Sequence, residues 1–189
     1  MPILPQQRDL FPDDLLADVV DRSPESADAS AWVVFYTLAR REKDLMRKLA
    51  AAGIAFYGPL IRRRCHVSGG RTRASQVPLF PGYVFSRVDA EQRRSALATN
   101  TIARWLPVPD EAALVCDLRL IRQLIESDQP LTPEARLEAG QAVRVRSGPL
   151  AGLEGSVVKR HGGDRLVVAV RFLNQGASIE LEDVDVERM

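Results

Sequence analysis

The sequence predicts an α+β N-terminal domain, with an antiparallel sheet and flanking helices, joined by a linker to a small all-β barrel. Strand-like and amphipathic helical segments alternate in the order β-α-β-β-α-β-α over residues 31–128. A proline-containing stretch without periodicity follows at 129–138. Short strands separated by glycine-containing turns then occupy residues 139–189, a spacing typical of a small barrel.

Residues 1–30 differ from the rest in composition. They hold seven acids against two arginines and are rich in proline, aspartate and serine. We predict a flexible acidic tail here, because such a composition buries little apolar surface. The alternative is a short amphipathic helix that docks onto a partner. Its apolar side chains would be Leu10, Phe11, Leu15, Leu16, Val19 and Val20.

The first elements of the N-terminal domain follow from periodicity. The run AWVVFYTLA at 31–39 is apolar, β-branched and aromatic, which indicates a buried strand. REKDLMRKLAAAG at 41–53 has a helical period, and Gly53 can end the helix. IAFYGPLIRR at 54–63 returns to strand. The polar, basic stretch at 62–77 is a long loop or the tip of a hairpin.

The remaining segments complete the two predicted domains. LFPGYVFSRV at 79–88 and TIARWLPV at 101–108 indicate a third and a fourth strand, with a short helix at 91–99 between them. DLRLIRQLIES at 117–127 is an amphipathic helix. In the barrel, the strands are centred on Val143 and Val145, 157–158, 166–170 and 179–181.

Charge and composition limit the function classes. The net charge of +1 conceals a basic segment, since residues 31–129 hold sixteen Lys and Arg against nine Asp and Glu, so a polyanion would be met there. The only histidines are His66 and His161, and we find no phosphate loop, metal constellation or nucleophile–base pair. We therefore expect no enzyme, no cofactor and no metal.

The expected location is the cytoplasm. Cys65 and Cys116 show no disulfide spacing, which suits a reducing compartment. The opening residues lack the pattern of a signal peptide, and no apolar run approaches the length of a membrane span. We expect a monomer with no membrane partner.

The stretch VPLFPGYVF at 77–85 combines two prolines, a glycine and three aromatics. By strand alternation, Tyr83 and Phe85 share one face and Val84 the other. From the residues alone, the simpler interpretation places Phe80, Tyr83 and Phe85 in the core. The alternative is an apolar surface that a partner covers.

Four features together resemble the NusG family of transcription elongation factors. They are the strand 32–36 leading into a helix, PLFPGYVF at 78–85, a linker, and VRVRSGPLAGLEGSVV at 143–158, which resembles the KOW motif of an SH3-like barrel. The resemblance covers residues 31–189, as an NGN-like domain and a KOW-like barrel. The barrel sequence is most similar to that of specialised paralogues of the RfaH and UpxY type, which regulate long operons, often for surface polysaccharides.

The resemblance implies a factor that binds RNA polymerase at the clamp and reaches the opposite jaw, suppressing pausing and termination. It places the first contact at Tyr36, Phe80, Pro81 and Tyr83, with Phe85 in the core. The second contact falls on Arg94 and Ser95, where the family has a His-Thr type segment. The alternative for Arg94 and Ser95 is a solvated helix face.

Two further contacts are expected. The basic loop could meet upstream or non-template DNA, since arginine suits phosphate, but it lacks aromatics for base stacking. Its residues are Arg62, Arg63, Arg64, Arg71 and Arg73. The resemblance implies that Phe172 and Leu173 of the barrel meet a second partner, a small-subunit ribosomal protein or Rho. Phe172 is equally compatible with a core position.

Two questions remain open from the sequence. Val77 replaces the glutamate with which RfaH masks its polymerase site, and the C-terminal segment is rich in Val and Gly, so we predict a barrel rather than a helical hairpin. A ribosome-associated RNA-binding protein with a KOW barrel is the alternative function.

Overall fold

The computed structural model describes residues 7–17, 30–67, 71–127, 129–136, 140–148, 150–160, 163–181 and 186–188. For residues 64–67, 71–74, 159, 160 and 163 only the backbone is described. No helix in these ranges is both long enough and apolar enough to cross a bilayer.

The chain divides into two compact units, residues 1–111 and 112–189. The first unit contains strands β1 (Leu10–Phe11), β2 (Ala31–Thr37), β3 (Ala55–Tyr57), β4 (Leu60–Val67), β5 (Arg71–Pro78), β6 (Tyr83–Val88) and β7 (Ile102–Pro107), with helices α1 (Glu42–Ala51) and α2 (Ala90–Leu97). The second contains most of helix α3 (Glu111–Glu126), strands β8 (Thr132–Glu134), β9 (Gln141–Val145), β10 (Glu154–Arg160), β11 (Gly163–Val170), β12 (Gln175–Glu180) and β13 (Val186–Arg188), and a 3₁₀ turn (Arg171–Leu173).

The first sheet confirms the predicted antiparallel α+β domain. Its five strands lie in the order β1-β3-β6-β2-β7, all paired antiparallel. Strand alternation sends Val33, Phe35 and Val84 to one face, where they pack with Leu45 and Leu49 of α1. These five side chains are at most 2% exposed. The opposite face carries the side chains that form the candidate site.

Helix α2 begins with a capping box. The Asp89 carboxylate accepts hydrogen bonds from the backbone N–H groups of Glu91 and Gln92, both at 2.8 Å. The Gln92 side chain in turn accepts from the backbone N–H of Asp89 at 3.2 Å. These bonds satisfy amides that a helix start leaves without partners. The short helix predicted at 91–99 therefore begins one residue earlier, at Ala90.

The predicted flexible tail is partly wrong. Leu10 and Phe11 form β1, in which Leu10 pairs with Tyr57 and Phe11 with Phe56 of β3. Leu10 and Leu16 are buried, at 6% and 3% exposure. The apolar burial and the strand pairing together order residues that the acidic composition alone does not. Residues 1–6 and 18–29 of the predicted tail lie outside the described ranges.

The basic stretch at 62–77 forms a hairpin, the second of the two structures considered. Strands β4 and β5 make a two-stranded sheet of their own, with Leu60 opposite Pro78 and Val67 opposite Arg71. Its tip, residues 68–70, lies outside the described ranges. Lys43 of α1 donates a hydrogen bond to the carbonyl of Gln76 and so holds the base of β5.

The second unit confirms the predicted all-β region. Its strands form one antiparallel sheet in the order β13-β9-β10-β11-β12-β8. Leu166, Val168 and Val170 of β11 face inward, each at 0% exposure. The described residues between 141 and 188 thus contribute strands and a 3₁₀ turn, in agreement with the prediction of a barrel-type segment over a helical hairpin.

The predicted linker at 129–138 is also partly wrong. Thr132–Glu134 form the edge strand β8, which pairs with β12. The Glu134 carboxylate accepts a hydrogen bond from Ser178, and Thr132 accepts one from Arg165 at 2.8 Å. Pro133 is tolerated because an edge strand leaves one side unpaired. So short a strand has no periodicity for sequence analysis to detect.

An ion pair between a buried carboxylate and a largely exposed guanidinium holds α3 to the 3₁₀ turn within the second unit. The Asp117 side chain is 6% exposed and accepts from the backbone N–H of Arg171 at 2.9 Å and from its guanidinium at 2.9–3.3 Å. The boundary between the units therefore falls at the start of α3, whereas the sequence analysis put this helix in the first domain, 31–128.

This ion pair predicts an asymmetric effect of mutation. Arg171→Ala should destabilise the second unit by about 3 kcal/mol, because it leaves a buried carboxylate without its cation. Asp117→Asn should cost only about 1–2 kcal/mol, since the guanidinium, 66% exposed, can be hydrated instead. Native-state hydrogen exchange of the β11 and β12 amides measures the loss of stability in both variants. Equal protection in the two variants would contradict this account.

Candidate functional site

Three side chains form a row across the ends of three neighbouring strands. Tyr36 of β2 lies opposite Tyr83 of β6 on one side and Arg104 of β7 on the other. The two rings are 5.2 Å apart between centroids and tilted by 60°, and the Arg104 guanidinium carbon lies 4.9 Å from the centre of the Tyr36 ring. We call Tyr83, Tyr36 and Arg104 the aromatic ladder. Such ring and cation contacts hold flat side chains in place.

The aromatic ladder lies on the sheet face opposite α1 and α2. On that face the middle of the sheet is closed, since Val34 and Phe85 are both at 0% exposure. At the strand ends Tyr36 and Tyr83 are half-buried and Arg104 is exposed. This is the geometry of an anchor that a partner can cover, because large rings with few rotatable bonds are already held in place.

The turn that delivers Tyr83 follows from its sequence. We call residues Phe80–Tyr83 the Gly82 turn. The Tyr83 N–H donates to the Phe80 carbonyl at 3.1 Å, with proline second and glycine third. Gly82 has φ +86°, as a type II turn requires at its third position. A Cβ on Gly82 would lie 3.1 Å from the Tyr36 ring, so the glycine also allows close packing.

Both peptide groups of Gly82 have partners from other elements. Its carbonyl accepts from the Thr37 N–H at 2.8 Å, and its N–H donates to the Glu42 carboxylate at 2.7 Å. Glu42 is in the first turn of α1 and is 8% exposed. Sequence analysis missed Glu42, because an acid at a helix start usually lies on the surface.

Phe80 requires a correction. The sequence analysis placed it in the polymerase contact, but its ring is 1% exposed and packs edge-on against Phe85, with centroids 6.1 Å apart. Phe80 is therefore a core residue, because the turn directs its ring inward. Pro81, the next residue, is exposed, and Phe85 is in the core as expected.

One exposed apolar side chain lies two residues beyond Tyr36 in the chain. Leu38 follows the end of β2 and is 48% exposed, the highest value among the large hydrophobic residues that the structure describes. Its N–H donates to the Thr101 carbonyl at 2.9 Å, so its backbone is held. Neither Leu38 nor Arg104 was selected from the sequence, since one exposed leucine and one strand arginine carry no distinctive pattern.

The other predicted site residues of the first unit lie apart from the aromatic ladder in the chain. Arg94 and Ser95 are both exposed on α2. Arg62 and Arg63 are exposed on β4. For Arg64, Arg71 and Arg73 only the backbone is described. The register pairs the last two with Val67 and Cys65.

The predicted site of the second unit is the 3₁₀ turn. Phe172 and Leu173 are half-buried, so each leaves part of its side chain accessible. The turn is held on one side by the Asp117 bonds to Arg171, and it ends at Asn174 in the left-handed region, with φ 52°.

The remaining charges near α1 are an exposed network. Asp44 lies 3.3 Å from Lys48, 3.4 Å from Arg47 and 3.5 Å from Arg41. The hydrogen bond from Lys48, followed by that from Arg47, lowers the pKa of the Asp44 carboxyl below its ordinary value. This contribution to stability is present above the unfolded-state pKa and is lost as pH falls through the lowered value.

Comparison with known proteins identifies the family. The model of the NusG family, described as transcription termination factor nusG, matches residues 30–124, half of the chain. The match begins just before β2 and includes the aromatic ladder, the Gly82 turn, the β4–β5 hairpin and α2. The chain belongs to the NusG family.

Curated relatives extend the similarity beyond the family match. The chain is 26% identical over 180 residues to a protein named transcription termination/antitermination protein NusG from Pseudomonas aeruginosa, an alignment that covers 85% of this chain and 99% of the relative. Proteins of the same name are 28% identical over 131 residues in Vibrio cholerae, covering 64% and 70%, and 29% over 133 residues in Escherichia coli K12, covering 65% and 71%.

Membership of the NusG family confirms the resemblance found from the sequence. The family match contains Tyr36, Pro81, Tyr83, Arg94 and Ser95, but it ends before the 3₁₀ turn with Phe172 and Leu173. The roles of all these residues stay predictions.

The Gly82 turn generates the next prediction. Gly82→Ala should destabilise the first unit by about 1–3 kcal/mol, because alanine at positive φ is strained and its methyl group meets the Tyr36 ring. Chemical denaturation measures the cost, and the nuclear Overhauser contact between the Tyr36 and Tyr83 rings reports the displacement. Gly53→Ala is the control, since Gly53 has φ +66° but nothing within 4 Å of a Cβ. Both variants should carry the strain of alanine at positive φ, and only Gly82→Ala should add a steric contact and move the ring.

Proposed function

We propose that this NusG-family chain is a transcription elongation and antitermination factor that binds RNA polymerase across its clamp and opposite jaw. The family consists of non-enzymatic transcription factors that bind RNA polymerase. The observation that carries the clamp contact is the aromatic ladder, a half-buried pair of rings fixed at the end of a rigid sheet.

The first polymerase contact is proposed at Tyr36, Pro81 and Tyr83. Their surface is apolar and aromatic, which suits a partner that offers apolar side chains, such as the tip of a coiled coil. Arg104 stacks on Tyr36 and supplies a charged group, and Leu38, two residues beyond Tyr36 in the chain, is a further exposed apolar side chain. Phe80 supports the contact from the core.

The second contact is proposed at Arg94 and Ser95 of α2. Both side chains are exposed and available to a partner. A factor bound to both jaws favours the closed polymerase only by its higher affinity for that state, and no bond is made or broken. This difference in affinity is what suppresses pausing.

The exposed aromatics generate the main prediction. Tyr36→Ala or Tyr83→Ala should raise the dissociation constant for core RNA polymerase about 30-fold, the size of an interface hot spot. Pausing and termination in a purified transcription assay should return toward the factor-free level. Tyr36→Phe and Tyr83→Phe keep the rings and should bind as the wild type does.

Two results would contradict the proposed polymerase contact. If the wild-type chain binds structured RNA and not polymerase, the ribosome-associated function replaces this proposal. If the chain binds polymerase and the alanine variants bind equally well, the contact lies elsewhere on the first unit.

The β4–β5 hairpin is proposed to meet upstream or non-template DNA. Arg62 and Arg63 are exposed and offer forked donors that fit phosphate oxygens. The hairpin backbone holds Arg64, Arg71 and Arg73 along the same two strands. Contacts of this kind position the factor and carry no sequence information.

Salt dependence tests the hairpin. Arg62→Ala and Arg63→Ala should weaken DNA binding to the same extent for every sequence and reduce the slope against salt by about 1 for each lost phosphate contact. Titration of labelled DNA between low and moderate salt measures the slope. Arg188→Ala, an exposed arginine of β13 in the other unit, is the control. An unchanged slope in the hairpin variants would exclude the contact.

The barrel-type unit is proposed to recruit a second partner, a small-subunit ribosomal protein or Rho, through Phe172 and Leu173. Their partly accessible side chains lie on a turn that the Asp117 bonds hold. The similarity of 143–158 to specialised paralogues supports a role on long operons of the polysaccharide type. Transcript profiles of a deletion strain test this, since a specialised factor changes few operons and a general factor changes many.

A further inference from the structure

We propose that Glu42 is a positioning residue for the polymerase contact, acting through the Gly82 turn. The inference rests on the proposed function and assigns a role to a side chain that lies outside the contact itself. Its carboxylate accepts the Gly82 N–H at 2.7 Å and is 8% exposed. Glutamate is rarely so buried unless it is paired.

The bond joins two elements that are distant in the chain. Glu42 begins α1, and the partial positive charge at a helix start favours a carboxylate there. The carboxylate supplies a charge-assisted acceptor to the N–H of a partly buried glycine. Helix α1 is itself fixed by Leu45 and Leu49, both at 0% exposure, so the acceptor is held rigidly.

The hydrogen bond from Gly82 to Glu42 affects the aromatic ladder because Gly82 is the residue before Tyr83. Glycine has the most permissive backbone of any residue type. Because Gly82 directly precedes Tyr83, a free Gly82 backbone would leave the Tyr83 ring without a fixed position. The Thr37 N–H holds its carbonyl at 2.8 Å and Glu42 holds its N–H. With both bonds the turn has one conformation, and the Tyr83 ring is presented 5.2 Å from Tyr36 before any partner arrives. An interface ordered in advance loses less entropy on binding.

The experiment compares three full-length variants by polymerase affinity, thermal unfolding and amide exchange. Glu42→Ala should raise the dissociation constant about tenfold, through lost preorganisation alone. Glu42→Gln keeps an amide oxygen that can accept the Gly82 N–H and should restore most of the affinity. Asp44→Ala is the matched control, because this acid of the same helical turn pairs with exposed cations and should change affinity less than about twofold.

Nuclear magnetic resonance separates positioning from stability. In Glu42→Ala the Gly82 amide should exchange faster and the Tyr36–Tyr83 ring contact should weaken at temperatures where the protein is fully folded. Glu42→Gln should keep both signals. If Glu42→Ala is folded and retains wild-type exchange, ring contact and affinity, or if Asp44→Ala loses affinity equally, the inference is wrong.

Failure of the proposed function can be distinguished from failure of the inference about Glu42. If the wild type does not bind polymerase, the proposed function fails, while the exchange and ring signals still decide whether Glu42 positions the Gly82 turn. If Glu42→Ala does not fold, the Glu42→Gln variant tests the inference. A positioning role requires this variant to keep the wild-type Gly82 exchange rate and Tyr36–Tyr83 ring contact, as Asp44→Ala should. Loss of either signal in folded Glu42→Gln would overturn the inference.

Discussion

The candidate site depends on the hydrogen bonds that hold Gly82 between a helix and a strand. Glycine adopts a positive φ without steric cost, and the hydrogen bonds to both of its peptide groups favour this one conformation of the turn. Those partners, Glu42 and Thr37, belong to α1 and β2, the two elements that also build the core. One residue therefore links the packing of the unit to the position of the Tyr83 side chain.

The sheet combines a closed core and an open site on the same strands. Val34 and Phe85 close the middle of the face that carries the aromatic ladder, and Tyr36 and Tyr83 lie on that face at the strand ends. A partner would meet rings whose positions regular structure already sets, which is more accurate than placement on a loop. Lys43 of α1 holds the basic hairpin by a hydrogen bond to Gln76. Helix α1 therefore bonds both to the basic hairpin and, through Glu42, to the turn before Tyr83.

Much of the fold was predictable because its signals are local. Alternation correctly put Tyr83 and Phe85 on one face and Val84 on the other, and periodicity located the main helices and strands. Strands β1, β8 and β13 were missed, since two or three residues show no period and their pairing depends on distant strands. The residues alone favoured a core position for Phe80, and the family resemblance moved it to the contact. Its packing against Phe85 returns it to the core.

The sequence by itself determined most of the elements and their faces, because strand alternation and helical periodicity act over a few residues. Only the tertiary structure decided which aromatic ring is buried, that Arg104 stacks on Tyr36, and that Glu42 bonds to Gly82. The contacts of Arg104 and Glu42 join residues far apart in the chain. Their distances are set by how helix and strands pack around the common core, and no local pattern records that packing.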